Sequence, residues 1–177
     1  MQRTCGDCIA CCIAAEVKFE THTKPARKVC LHVLPSEAHQ KGRCGIRDQA
    51  CRPAACRDFE CAWLRGFGLE TDRPDQLGVM LSVNDMNGGR WGFAIELEPN
   101  AVLNKAASSL AAFARALPFP IIVSSYDRLP PHDTGDRVIV KDELLPRSKR
   151  LVGNVLAILD EGVKMYELFD HHKGGIA

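Results

Sequence analysis

Four cysteines fall within eight residues near the start of the chain: Cys5, Cys8, Cys11 and Cys12, a C-x-x-C-x-x-C-C run. Cys30, Cys44, Cys51, Cys56 and Cys61 follow, so all nine cysteines lie in the first third of the 177 residues. Thiolates crowded in this way are ligands for soft metals. A lone cysteine is often a small buried hydrophobe, which fits Cys51 far better than it fits the run. A catalytic thiol needs a lowered pKa and a neighbouring base. His22, His32 and His39 are the nearby imidazoles, and no spacing pairs one of them with a thiol. His32 could replace a thiolate in a site of three sulfurs and one imidazole; a solvated or core histidine is the simpler reading.

Two local structures could present the opening run. A helix over residues 5–17, turning about 100° per residue, would gather the four thiols into a sector of roughly 120°. A knuckle would instead clip Cys5 and Cys8 onto one metal through a C-x-x-C turn. Ala10, Ala14 and Ala15 favour the helix, and Gly6 and Asp7 favour the turn. In either case the Cβ vectors of adjacent Cys11 and Cys12 diverge. The two thiols are better suited to two metals, or to one metal and a neighbouring site, which predicts a paired or multinuclear centre.

A second block, Cys44-Gly-Ile … Arg52-Pro53-Ala-Ala-Cys56-Arg57-Asp-Phe59-Glu-Cys61-Ala-Trp63-Leu64, completes an ordered set of motifs. With the C-G-x-C-x-x-C-C opening and Lys24-Pro25 ahead of Cys30-x-His32, it resembles the bacterial CxxCxxCC cysteine-cluster family, described as zinc- or iron-chelating. That family also includes flagellin lysine N-methylases. The resemblance covers about residues 3–66. It implies eight metal ligands: Cys5, Cys8, Cys11, Cys12, Cys30, Cys44, Cys56 and Cys61. Cys51 stands outside the pattern, and Arg47 occupies a position where the pattern often has tyrosine.

Eight thiolates suit two zinc ions with four sulfurs each. They also suit an iron–sulfur cluster held by four of them, since Cys5, Cys8 and Cys11 repeat a ferredoxin-like spacing. Zinc is favoured because so many ligands in so small a segment would serve its folding. Arg52 and Arg57 flank the late cysteines and are candidates to lower thiolate pKa values. Phe59 and Trp63 are candidates for an apolar lid.

Net charge is +1 with ordinary apolar and charged fractions, so bulk electrostatics points neither to nucleic acid nor to a membrane. Through residue 73 there are 12 Lys/Arg and 9 Asp/Glu, a local excess that would offset anionic sulfur. The opening lacks an apolar secretory segment and no run is long enough to span a bilayer. A reducing cytoplasm is therefore expected, where clustered thiols serve as metal or redox groups rather than as disulfides.

The elements that must position the cysteines divide into two predicted domains. Residues 1–68 form a cysteine-rich metal-binding domain, too poor in aliphatic residues for a large core without a staple. Residues 66–76 read as a connection. Residues 74–177 form a small α+β domain with a mostly antiparallel sheet. Within it, Leu77–Val83 and Arg90–Glu98 are strands around a turn at Asn84–Gly89. Asn104–Leu117 is an amphipathic helix capped by Asn100 and stopped by Pro118. Pro120–Ser125 and Asp136–Lys141 are strands, and Val152–Leu159 is apolar and could be strand or helix. The order β-β-α-β-β gives an α+β architecture. Pro130–Gly135 reads as a loop, and His171–Ala177 as a frayed tail whose two adjacent histidines could bind metal adventitiously.

No phosphate loop, dinucleotide fingerprint, zincin helix or serine-nucleophile elbow occurs. Asn87-Gly88-Gly89 is read as hairpin chemistry, Asp133, Asp136, Asp142 and Glu143 as solvated acids, and Arg147-Ser-Lys149-Arg150 as a charged loop. The expected function is metal binding with a metal-handling or partner-binding role, the partner being another protein. The alternative is an enzyme, either an iron–sulfur redox protein or a methyltransferase-like protein.

Overall fold

The computed structural model describes residues 3–35, 42–86, 88–127, 137–150 and 152–168. The front third contains only short elements, as expected for a segment with few aliphatic residues. They are α1 (Ala10–Ala14), β1 (Val17–Lys18), β2 (Thr23–Lys24), β3 (Val33–Leu34), β4 (Arg43–Cys44), α2 (Ala54–Arg57) and α3 (Pro74–Leu77). Two miniature antiparallel ladders brace it, with Val17 opposite Lys24 and Val33 opposite Cys44.

The remainder is one six-stranded sheet. In chain order it consists of β5 (Val79–Met86), β6 (Gly89–Glu96), α4 (Ala101–Asn104), α5 (Ala107–Ala116), β7 (Ile121–Ser124), β8 (Arg137–Lys141), α6 (Leu145–Ser148), β9 (Val152–Asp160) and β10 (Val163–Leu168). The strands lie side by side as β5-β6-β7-β8-β10-β9. Only β6 and β7 run parallel, with Gly92 opposite Ile121, and helices α4 and α5 supply the crossover that parallel neighbours require. The chain is thus α+β with a mostly antiparallel sheet.

Side chains alternate across strands, so β5 and β6 contribute to two cores. Val79, Leu81 and Ala94 join Ile121, Val123, Ile139 and Met165 beneath Leu110, Ala111, Phe113 and Ala114 of α5. On the opposite face Met80, Ile95 and Leu97 pack against Ala10 and Ala14 of α1 and against Cys61 and Trp63. At the far end Val138, Val140 and Tyr166 pack under Leu144 and Leu145. The cysteine segment therefore covers one end of the sheet face that α5 leaves open.

Several boundaries differ from the sequence reading. The first strand starts at Val79, because Leu77 ends α3 and Gly78 reverses the chain in a left-handed conformation, φ 73°. The hairpin is tighter than expected, with Met86 opposite Gly89. The single helix expected over Asn104–Leu117 is two helices. The amides of Lys105 and Ala106 both converge on the Ala101 carbonyl at 3.0 Å, closing α4, and α5 restarts with Leu110 N–H on Ala106 at 2.8 Å. Asn100 precedes α4 in a left-handed conformation but makes no side-chain cap. Glu96 instead accepts the Val102 amide, at 3.0 Å. Leu117 is extended ahead of Pro118, as the ring of a following proline demands.

Val152–Leu159 proves to be strand, and β10 is an additional strand that the charged residues in VKMYEL had concealed. The expectations for Asn87, Pro130–Gly135 and His171–Ala177 fall outside the described residues. Among the described residues no helix is long and apolar enough to cross a membrane.

Candidate metal centre

The opening cysteines use both of the local structures open to them. Cys5 and Cys8 stand at the ends of a tight turn closed by Cys8 N–H on the Cys5 carbonyl at 2.8 Å. Gly6 makes the turn possible by adopting φ 52°. Cys11 and Cys12 lie on the single helical turn of α1. The helix over 5–17 is thus confined to residues 10–14.

Three contacts hold this segment down. Arg73 reaches Asp7, inside the Cys5–Cys8 turn, at 2.9 Å and grips Asp75 at 2.7 Å. Arg3 donates to the carbonyls of Trp63 and Phe67 at 2.8 and 2.6 Å and stacks over the Trp63 ring. Trp63, itself fixed through its indole N–H on the Leu69 carbonyl at 3.0 Å, packs with Phe59, Cys8, Cys11 and Cys61. Phe59 and Trp63 therefore form an apolar wall against the thiols.

The later cysteines are brought in by backbone links. Cys30 N–H donates to the Cys12 carbonyl at 3.1 Å, and Val33 N–H to the Cys30 carbonyl at 3.1 Å. The β3–β4 ladder then places Cys44 opposite Val33. Pro53 starts the turn carrying Cys56, whose N–H donates to the Pro53 carbonyl at 2.9 Å. Cys61 is buried in the cluster shared with the sheet.

Electrostatics shows which thiols are neighbours. Burial pushes Cys5 up, and Cys11 and Cys61 raise it further, whereas Arg47 and Arg52 draw it down. Burial pushes Cys8 up to about 12, with Asp75 and Cys11 adding to the effect. Burial also raises Cys56, as do Cys11, Cys30 and Cys44, opposed by Arg52. Cys61 is raised by burial and by Cys11, against backbone N–H groups at Leu64 and Trp63. Cys11 and Cys12 share a proton: the hydrogen bond from Cys12 lowers Cys11 to about 6, and the same bond raises Cys12. Cys12 also feels Cys44 and Cys30.

Cys11 acts on Cys5, Cys8, Cys56 and Cys61, and Cys12 feels Cys11, Cys44 and Cys30. Cys51 is exposed, which corrects the buried-hydrophobe reading of a lone cysteine, and its thiol meets the Gln49 side chain at 3.4 Å.

Lys24 carries a signal that the sequence did not reveal. It is 3% exposed, and its ammonium donates to the carbonyls of Ile13 (2.9 Å) and Ala15 at the end of α1. Among the described residues no carboxylate forms an ion pair with it. Burial lowers its pKa, and Cys30, Cys12, Cys11 and Cys56 raise it. A buried ammonium whose anionic neighbours are sulfurs is matched electrostatically when those sulfurs are thiolates.

Arg52 donates to the Cys56 carbonyl and, at 3.1 Å, to that of Arg47. Arg57, expected to tune the thiols, instead binds the Arg52 carbonyl at 2.6 Å. Arg47 and Arg52 both draw the Cys5 thiol down, and Arg52 also lowers Cys56. His22 stacks on Phe19 at 4.6 Å, with His32 5.2 Å from the same ring. His39 lies outside the described residues.

By chemistry the donor set fits a thiophilic metal: eight free thiols from separate segments, apolar walls and three cations. Among the described residues, no three His, Cys, Asp or Glu side chains are already set to hold one ion. Comparison with protein-family models, with curated proteins and with solved structures finds no match to this chain.

Proposed function

We propose that this chain is a metal-binding protein, and that the module of residues 1–68 is built around zinc held by Cys5, Cys8, Cys11, Cys12, Cys30, Cys44, Cys56 and Cys61. Eight thiolates suit two tetrathiolate centres, with the adjacent Cys11 and Cys12 serving different ones. Bound zinc would supply a redox-silent staple joining segments that otherwise share only short ladders. The excess negative charge of two such centres is offset by Lys24, Arg47 and Arg52. The role is metal handling or partner binding in the cytosol, where thiols stay reduced. The resemblance to the CxxCxxCC cysteine-cluster family supports the same reading.

The observation that carries the proposal is Lys24, buried without a described carboxylate partner and adjoining four of these cysteines. A second reading, an iron–sulfur protein, draws on the Cys5–Cys8–Cys11 spacing.

Elemental analysis of the full chain purified without oxygen, together with its visible spectrum, tests both readings. A colourless protein with about two zinc ions per chain is the expected result. A brown protein containing iron and sulfide would favour the second reading. A folded protein with neither metal would overturn both.

A further inference from the structure

Arg27 joins the cysteine module to the sheet. It lies in a turn, three residues after Lys24 and three before Cys30. Both of those residues are fastened inside the module. The Lys24 ammonium donates to the carbonyls of Ile13 and Ala15, and Cys30 N–H donates to the Cys12 carbonyl at 3.1 Å. Between these anchors Arg27 holds φ 59°, a left-handed conformation that few residues with a Cβ adopt.

The Arg27 side chain reaches the sheet. Its Nη1 donates to the Glu96 carbonyl. Its Nη2 donates to the Ser124 carbonyl at 3.1 Å, the Ser124 hydroxyl at 2.9 Å and the Ser125 carbonyl at 2.6 Å. Glu96 and Ser124 end β6 and β7, the parallel pair. Where those strands part, their carbonyls run out of ladder donors and need replacements. The planar fork of a guanidinium serves both strand ends at once. It also lies over the Tyr126 ring, 5.9 Å from the ring centre.

The joint continues into the sheet domain. The Glu96 carboxylate accepts the amides of Val102 and Tyr126 at 3.0 and 3.1 Å, which fixes the start of α4 and the chain leaving β7. Arg27 thus grips, through its carbonyl, the residue that organises this end of the sheet.

We propose that Arg27 is a latch coupling metal occupancy of the cysteine module to closure of the β6–β7 end, so that each stabilises the other. Metal held by Cys30 and the other thiolates fixes the turn over residues 24–30, and the fixed turn holds the guanidinium on Glu96, Ser124 and Ser125. In the reverse direction, the latched turn presents Cys30 with less ordering left to do on binding. Linkage makes the coupling reciprocal, so a change at the strand ends is felt as a change in metal affinity. The inference rests on the zinc reading above.

The parent chain and Arg27→Asn, each purified without oxygen and measured with zinc and after a chelator has removed it, test the latch. Asparagine tolerates the left-handed turn and is too short to reach the strand ends. Hydrogen exchange resolved by residue follows the Tyr126 amide, and chelator competition gives zinc affinity. In the parent, the Tyr126 amide is expected to exchange at least about 5-fold faster once zinc is gone, the lower end of ordinary coupling. In Arg27→Asn it is expected to exchange fast in both states, with zinc affinity lowered by a similar factor. The Ile139 and Met165 amides, in the centre of the sheet, are expected to keep their protection in every sample, which establishes that the sheet is folded. A parent that holds zinc while its Tyr126 exchange ignores the metal overturns the latch alone. So does an Arg27→Asn chain that keeps the parent's zinc-dependent change, and so does an equal loss of protection at Ile139 and Met165 when zinc is removed. A parent that binds no zinc overturns the zinc reading and the latch with it.

Discussion

Lys24 and Ile13 are joined by a hydrogen bond of 2.9 Å from the ammonium to the backbone carbonyl at the end of α1. One buried cation thus caps the helix that carries Cys11 and Cys12 and offsets the charge of the sulfurs around it. Lys24→Met keeps the bulk and removes the charge. It is expected to weaken zinc affinity by about 10–100-fold, the usual cost of losing an outer-shell partner. Lys24→Arg should retain more affinity than Lys24→Met, as read by competition with a chromogenic chelator.

Arg73 clamps the Cys5–Cys8 turn through Asp7 while holding Asp75 beneath Cys8. Its side chain is 17% exposed, so the pairs are only partly screened. Arg73→Ala is expected to cost about 1–3 kcal/mol of stability, because both carboxylates lose a charged donor. The loss should appear in chemical denaturation, with turn residues 5–8 exchanging their amide hydrogens faster.

The thiol shifts set the response to pH. In protein stripped of metal, Cys5, Cys8, Cys56 and Cys61 are all raised above the ordinary 9.0. Unfolded thiols then ionise first, so these groups stabilise the fold below 9.0 and lose that effect as the pH climbs toward about 12, the folded value of Cys8. Cys11 runs the opposite way: the hydrogen bond from Cys12 lowers it, so its ionisation adds stability as the pH rises toward 9.0, while Cys12 keeps the second proton of the pair. Stripped protein should therefore melt at lower temperature as the pH passes 9.0. Zinc affinity should change in the opposite sense and rise with pH, because binding expels protons. Calorimetry in buffers of different ionisation enthalpy would measure the protons released.

Glu96 is 1% exposed, and its carbonyl accepts from Arg27 of the front segment. Its carboxylate binds Arg137 at 2.9 Å and the amides of Val102 and Tyr126 at 3.0 and 3.1 Å. Glu96→Ala removes a carboxylate from a buried guanidinium and from two amides and is expected to cost about 3–5 kcal/mol. Glu96→Gln should recover part of that loss by keeping an oxygen for one amide. Thermal unfolding of the full chain would read both.

The limits of sequence reading follow from these same residues. The antiparallel hairpin, the α5 face and the β7 and β8 strands were legible because their apolar periodicity and turn residues are local. Leu77–Val83 is apolar on both faces, a sign of burial from both sides, yet nothing in the spacing named α1 as the second cover. The break between α4 and α5 was hidden because the Lys105 and Ala106 amides both turn to the Ala101 carbonyl within an alanine-rich stretch whose apolar spacing runs unbroken. Lys24 looked like one basic residue among many; its burial depends on β1 and β2 folding back over α1. Motif spacing set Cys51 apart from the other eight cysteines but did not reveal that it is exposed rather than buried.

The measurement that tests the central claim most directly is thiol labelling of the full chain, purified without oxygen, using a small alkylating reagent and peptide mapping by mass spectrometry. If eight thiolates hold metal, Cys51 alone should label in the native protein, and all nine cysteines should label once a chelator has removed the metal. Labelling of Cys5, Cys8, Cys12, Cys30 and Cys56 at rates that the chelator leaves unchanged would contradict the account.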